Sequence, residues 1–261
     1  MRNVRNMRKK STIWPVCLCL LLLAAALLVQ PIRAAAKHAA DELSAWADEQ
    51  LRKPGDPGYL SLHYRMRKLY FAVDPYPKNP VVFLGDSITF FGNWDDLFPD
   101  SPVENRGIGG DSTRGVLNRL DQVIAMRPAQ IFLMIGTNDL CYGRSVPDIA
   151  ANYDRILRRF KTELPQTEVY VQSVLPFNDQ IFPSRAYRTN ANIRELNKEI
   201  RRLAKKYDYQ YIDLTPAFTG PDGRLPAKYT TDGLHLNADA YLVWRDLIKK
   251  WVAVSPRHKI F

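Results

Sequence analysis

Three long runs of apolar residues, each followed by turn-forming residues, constrain the fold of this chain most strongly. The runs are Val81–Leu84, Ile131–Ile135 and Val169–Leu175, and shorter apolar segments occur near Val103 and at Tyr209–Ile212. A largely continuous apolar run, rather than alternating apolar and polar residues, is typical of a strand that is buried on both faces. Such strands belong to parallel sheets whose two faces are both covered by helices.

The segments between these runs have helical periodicity, because their apolar residues recur three or four positions apart. The stripes consist of Val116, Leu117, Leu120, Val123 and Ile124; of Ile193, Leu196, Ile200 and Leu203; and of Tyr241, Ile248 and Trp251 after Asn237 as N-cap. Alternating strands and helices imply right-handed crossovers. The sequence therefore predicts an α/β fold, a three-layer α/β/α sandwich around a central parallel sheet of roughly five strands.

Polar or glycine residues follow three of the predicted strands, namely Ser87, Gly110 and Asn138. In open parallel sheets, ligands bind at the carboxyl ends of the strands, so we expect these residues to converge on one edge. Far downstream, Asp232 and His235 form an Asp-x-x-His motif. A serine hydroxyl becomes a nucleophile when an imidazole accepts its proton and a carboxylate fixes the imidazole tautomer.

These segments, in this order, resemble the signature blocks of the SGNH (GDSL-type) serine hydrolase superfamily over roughly residues 80–250. The resemblance implies a flavodoxin-like α/β/α fold with Ser87 as nucleophile and Asp232 and His235 completing a triad. It also implies that the Gly110 N–H and the Asn138 amide join the Ser87 N–H as oxyanion donors. The family's leucine after the serine is Ile88 here, and this change keeps an apolar residue.

Longer stretches around these blocks resemble the carbohydrate, or sialate-like, O-acetylesterase branch. They are Asn105 to Asp111, Ile131 to Leu140 and Val171 to Pro176. The resemblance implies an esterase that removes acetyl groups from a small ester or an acetylated glycan. A lysophospholipase or thioesterase-like lipid esterase is the alternative, and an inactive glycan-binding protein is a third interpretation that the complete set of triad residues disfavours.

The sequence indicates no cofactor or metal. The third glycine of a dinucleotide-binding G-x-G-x-x-G loop would fall on Ser112, and there is no G-K-[ST] phosphate loop, H-E-x-x-H motif or G-x-S-x-G elbow. The remaining histidines, His38, His63 and His258, lack ligand-like neighbours. We assign Asp86 and Asp111 to hydrogen bonding in loops rather than to chemistry.

Residues 1–36 have the order of a secretory signal: basic residues, an apolar core from about Ile13 to Val29, and small residues at Ala34–Ala36. We expect cleavage near Ala36 and a secreted or extracytoplasmic protein. An uncleaved N-terminal anchor, which would be the only membrane attachment, is the alternative. Residues 37–79 are predicted to be a helical extension, with one stripe at Leu62, Met66 and Leu69, and residues 80–261 the hydrolase domain.

The charge of the chain is partly a consequence of this segment. Residues 1–36 hold six basic groups and no acidic ones, so their removal lowers the formal net charge from +10 to +4. That charge, without a basic and aromatic platform, predicts no nucleic-acid partner. Removal would also leave Cys141 as the remaining cysteine and exclude an internal disulfide.

Overall fold

A computed structural model describes residues 61–253. The helices are α1 (Leu62–Val73), α2 (Ser87–Phe90), α3 (Trp94–Leu97), α4 (Thr113–Ala125), α5 (Thr137–Cys141), α6 (Val146–Glu163), α7 (Asn190–Lys206), α8 (Thr215–Phe218) and α9 (Ala238–Ile248), with a 3₁₀ turn at Ala227–Tyr229. The strands are β1 (Val81–Gly85), β2 (Val103–Gly107), β3 (Gln130–Met134), β4 (Glu168–Gln172) and β5 (Gln210–Ile212). Strands and helices alternate from β1 onward.

The five strands form one parallel sheet in the order β2-β1-β3-β4-β5. Gly85 at the end of β1 pairs with Gly107 on β2 and with Met134 on β3. The loops that leave these three strands therefore start side by side at one edge of the sheet. The predicted fold class is confirmed, including the number and direction of the strands.

A hydrophobic core lies on each face of the sheet, because alternate side chains of one strand point to opposite faces. Val82 and Leu84 pack with the buried faces of α4, α6 and α7. Val81 and Phe83 pack on the other face, with residues of α2, α3, α8 and α9. The result is the predicted arrangement of three layers.

Strand β4 ends three residues before the end of the predicted run. Beyond Gln172, the N–H of Val174 donates to the side-chain oxygen of Asn197, and its C=O accepts from the Asn197 amide, both at 2.8 Å. A side chain of α7 thus takes the place of a neighbouring strand. The apolar pattern continues because Val174 and Leu175 are buried in the two cores.

The last predicted stripe is correct at its start and wrong at its end. The side-chain oxygen of Asn237 accepts from the Ala240 N–H at 3.1 Å, which confirms Asn237 as the N-cap of α9. Trp251 lies after the end of the helix at Ile248, although it still packs against the core.

Helix α1 forms as predicted, but the predicted stripe points away from the domain. Leu62, Met66 and Leu69 are exposed by 61%, 54% and 64%. Tyr64 lies on the buried face instead, and its hydroxyl donates to the carbonyl of Gly115 at 2.7 Å. Hydrogen-bond acceptors and aromatic rings on the domain surface, which periodicity does not reveal, decide the orientation of this helix.

The predicted signal, the first part of the extension, His38 and His258 lie outside the described residues. Within residues 61–253, no helix combines the length and the apolar character that a membrane span requires. The domain boundaries at residues 36 and 79 stay predictions.

Candidate active site

Ser87 lies where β1 turns into α2. The Asp86 carboxylate caps this short helix by accepting a hydrogen bond from the Ile88 N–H at 3.0 Å. The cap fixes the backbone around Ser87, whose side chain opens toward the sheet edge with 8% of the residue exposed. The serine therefore lies on a capped turn between β1 and α2.

The structure brings Ser87, His235 and Asp232 together in one chain of hydrogen bonds. His235 Nε2 lies 2.9 Å from Ser87 Oγ, and His235 Nδ1 lies 2.5 Å from Asp232 Oδ2. The other carboxylate oxygen of Asp232 accepts from the backbone N–H groups of Leu234 and His235, at 2.9 and 2.8 Å. The carboxylate is thus oriented by its own turn.

The electrostatic environment keeps Asp232 ionised. Partial burial opposes its charge, but hydrogen bonding and attraction from His235, together with the two backbone N–H groups, outweigh burial and lower its pKa well below the usual range. An ionised carboxylate can only accept hydrogen bonds, so His235 Nδ1 must donate. In a neutral imidazole this leaves Nε2 free to accept the Ser87 proton.

Two contacts position the loop that carries Asp232 and His235, called the histidine loop below. Gly233 adopts a left-handed backbone conformation with φ of 90°, and its carbonyl accepts from the Asn178 N–H at 2.7 Å. The ring of Phe91, just after α2, meets the His235 ring edge to face with centroids 5.3 Å apart. Sequence reasoning did not find Phe91, because nothing in its surroundings distinguishes it from a packing residue.

The loop after β2 and helix α5 meet beside the serine. Gly110 has a φ of 72°, a conformation that favours glycine. The Asn138 amide donates a hydrogen bond at 3.0 Å to the carbonyl of Asp111, the residue that follows Gly110. No described group accepts a hydrogen bond from the backbone N–H of Gly110 or Ser87. The Asn138 amide thus contacts the loop that carries Gly110, and the backbone N–H groups of Ser87 and Gly110 are available to a substrate.

Buried ion pairs hold these loops to the sheet. Asp111 pairs with Arg119 at 2.9 Å, and Arg119 also donates to the carbonyl of Gly85 at 3.2 Å, just before Ser87. Asp139, next to Asn138, pairs with Arg144 at 3.0 Å and accepts from both the N–H and the hydroxyl of Thr113. The Asp111 contacts match the loop role expected for it.

Burial is the main electrostatic influence on the carboxyls beneath the site. It raises the pKa of Asp86 to about 7, although the bond from Ile88 and attraction from His235 act in the opposite direction. It also raises the pKa of Asp111 to about 6, against attraction from Arg119. Ionising either carboxyl is therefore unfavourable in the folded protein, which loses stability as pH rises toward these pKa values.

His63 of α1 contacts the loop after β2 directly, which the sequence did not suggest. Its Nε2 accepts a hydrogen bond from the Gly109 N–H at 3.2 Å, and its ring meets that of Phe90 at 5.6 Å. The residue is almost completely buried. A separation of 46 residues hides this contact from any local pattern.

The described residues contain no group of three or more His, Cys, Asp and Glu side chains arranged to hold a metal ion. Cys141 is a partly exposed free thiol on α5. The arrangement of Ser87, His235 and Asp232 fits covalent catalysis by a serine, with proton transfer through an imidazole.

Comparison with known proteins places this geometry in a family. Residues 83–243 match the GDSL-like Lipase/Acylhydrolase family. The chain belongs to this GDSL family. A Gallus gallus relative named platelet-activating factor acetylhydrolase IB subunit alpha2 is 32% identical over 237 residues, covering 87% of this chain and 94% of the relative. The Homo sapiens subunit alpha1 is 31% identical over 195 residues, covering 72% of this chain and 79% of the relative.

Solved structures of the GDSL family share the fold. A GDSL-like lipase from Bacteroides thetaiotaomicron has a TM-score of 0.63 and 27% identity, covering 72% of this chain and 96% of its own. The resemblance to the SGNH/GDSL superfamily is thus confirmed, and with it membership among carboxylic ester hydrolases. The catalytic role of each residue stays a prediction.

Proposed function

We propose that this protein is an exported serine esterase that hydrolyses acetyl esters, on carbohydrate or cell-wall glycan, through Ser87, His235 and Asp232. The observation that carries the proposal is the continuous hydrogen-bond chain from Ser87 Oγ through both nitrogens of His235 to Asp232. Each of its distances is short enough for proton transfer or orientation. An ester hydrolase needs no further group to begin the reaction.

In the first step, Ser87 Oγ attacks the ester carbonyl carbon while His235 Nε2 takes the hydroxyl proton. The carbonyl π electrons move to oxygen, where the Ser87 and Gly110 N–H groups and the Asn138 amide donate hydrogen bonds. The tetrahedral intermediate collapses, His235 gives its proton to the leaving alcohol, and an acetyl-serine remains. Asp232 stabilises the imidazolium throughout.

In the second step, water attacks the acetyl-serine and loses its proton to His235. Collapse of the new tetrahedral intermediate releases acetic acid and returns the proton to Ser87 Oγ. The same oxyanion donors act in both steps, because the charge develops on the same oxygen. No cofactor enters the scheme.

The acetyl preference is supported by the relative in Gallus gallus, whose name describes an acetylhydrolase and which aligns with most of this chain. The glycan preference is supported by the sequence stretches that resemble the O-acetylesterase branch. Export is supported by the order of basic, apolar and small residues in positions 1–36. These three features together define the proposed substrate and location.

A lipid esterase is the second candidate, and exposed apolar side chains favour it. Phe91, which contacts His235, is 43% exposed, and Ile181 and Tyr187 on the loop between β4 and α7 are 45% and 52% exposed. Apolar side chains at the entrance to a site can hold an acyl chain. Each methylene accepted in a groove would add about 0.8 kcal/mol of favourable burial.

The test is a series of 4-nitrophenyl esters from acetyl to decanoyl, with the folded S87A variant as background. We expect the acetyl ester to be cleaved fastest, and acetate to be released from an acetylated glycan. A rate that rises with chain length would reject the acetyl preference in favour of the lipid esterase. Equal hydrolysis by S87A would reject the serine mechanism, and no hydrolysis at all would favour a binding protein.

A further inference from the structure

Arg188 is a buried cation without an ionic partner. The residue is 4% exposed, and its Nε has no hydrogen-bond partner. No carboxylate among the described residues forms an ion pair with it, whereas the buried Arg119 pairs with Asp111 and the buried Arg106 pairs with Glu104 at 3.0 Å. Burying an unpaired charge is unfavourable, so its retention needs a reason.

The position of Arg188 links it to both sides of the candidate active site. The preceding residue, Tyr187, donates its N–H to the carbonyl of Leu140 at 3.0 Å, two residues after Asn138. The guanidinium lies 4.6 Å from the centroid of the Phe182 ring. A side chain at Gly233 would lie only 2.8 Å from the backbone nitrogen of Phe182, so this segment packs against the histidine loop.

The electrostatic surroundings agree with this position. Burial lowers the pKa of Arg188 from its usual value, and repulsion from Arg185 acts in the same direction, while Cys141, Tyr142 and Asp86 have the opposite effect. Asp86 precedes Ser87, and Cys141 and Tyr142 follow Asn138 on α5. The groups that act in this opposite direction thus adjoin Ser87 and Asn138 in the chain, and an arginine stays protonated in such surroundings.

We propose that Arg188 binds an anionic group, a carboxylate or a phosphate, on the alcohol part of the substrate ester. This inference rests on the proposed esterase function and narrows its substrate class. A guanidinium presents N–H donors in a fixed plane, which suits two parallel hydrogen bonds to an oxyanion. The aromatic face of Phe182 keeps the cation in place when the site is empty.

The test compares acetyl esters that differ in charge: 4-acetoxybenzoate, 4-acetoxyphenyl phosphate and the neutral 4-acetoxybenzamide. The quantity measured is the ratio of kcat/KM for an anionic ester to that for the neutral ester. We expect R188M to lower this ratio about 10- to 100-fold, the range of a charge-assisted hydrogen bond. R188K should restore part of the ratio that R188M loses. In the wild type, the anionic ester that gives the larger ratio identifies carboxylate or phosphate as the ligand.

The control variant is R185M, which removes an exposed arginine from the same segment and should keep the ratio within about twofold. An unchanged ratio in folded R188M, with both esters affected alike, would show a packing role and overturn the inference. So would an equal fall in R185M, because it would indicate general charge attraction.

Product binding gives a second measurement that needs neither turnover nor a variant. The wild-type protein should bind 4-hydroxybenzoate or 4-hydroxyphenyl phosphate at least tenfold more tightly than 4-hydroxybenzamide, measured by calorimetry. Equal binding of all three would overturn the Arg188 site even if R188M does not fold. Failure of the wild type to hydrolyse any ester would instead refute the esterase function, while the binding result would still decide the site.

Discussion

Replacing Asp86 with asparagine should make the protein more stable at high pH relative to the wild type. Burial raises the pKa of Asp86 from 3.8 to about 7, so the folded state keeps a proton that the unfolded state loses near pH 4. Between these values the wild type loses stability as pH rises, at 1.36 kcal/mol for each pKa unit. The whole window corresponds to on the order of 4 kcal/mol.

The D86N variant keeps an oxygen that can accept from the Ile88 N–H, and it cannot ionise. Its buried NH₂ group needs a partner, which costs about 1–3 kcal/mol and is independent of pH. The difference in unfolding free energy, variant minus wild type, should therefore increase from pH 4 to about pH 7 and stay constant above that.

Urea denaturation of both proteins at pH 4, 5, 6, 7 and 8 measures this difference directly. D100N, at an exposed aspartate, is the matched control and should show no comparable increase. A difference between D86N and wild type that stays flat across this range would refute the argument that desolvation of Asp86 dominates.

Four further predictions concern the site and the N-terminus. N138A should lower kcat about 10²- to 10³-fold with little change in KM, because an oxyanion donor acts in the transition state; a defect in KM alone would contradict this role. G110A should reduce kcat at least tenfold in a folded protein, since alanine disfavours the left-handed backbone at that position, and esterase assays with a thermal melt measure both properties. H63A should lower kcat about tenfold, which corresponds to the free energy of roughly one hydrogen bond. H63Q should recover part of this loss, because its side chain can still accept from the Gly109 N–H; equal kcat in both variants and the wild type would show that His63 does not support the site. Sequencing the exported protein should give an N-terminus near Lys37, and a chain that still begins at Met1 in the membrane fraction would instead indicate an anchor.

The strands and the convergence of the site could be predicted because both depend on local features. Consecutive apolar residues at Val81–Leu84 mark a strand buried on both faces, and Ser87 must then lie at the sheet edge. Asn138 follows in the same way from the end of β3. Parallel strands bring their carboxyl ends together whatever the distance in sequence.

The contacts that support the site could not be predicted, because they join segments without a shared pattern. His63 meets Gly109 across 46 residues, and Leu62, Met66 and Leu69 suggested the opposite face of the same helix. Arg188 lies in an irregular segment where periodicity carries no information. Its burial becomes visible only when Phe182 and α5 are placed around it.

Covalent labelling of Ser87 tests the central claim most directly. The protein is treated with a fluorophosphonate, which reacts with activated serines, and the modified peptide is identified by mass spectrometry. The proposed mechanism predicts a single adduct on Ser87 and loss of esterase activity in proportion to labelling. Labelling should be greatly slowed in H235A and unchanged in S184A, a control variant that removes an exposed serine. Full esterase activity after complete modification of Ser87, or an adduct on another serine that accounts for the inhibition, would contradict it.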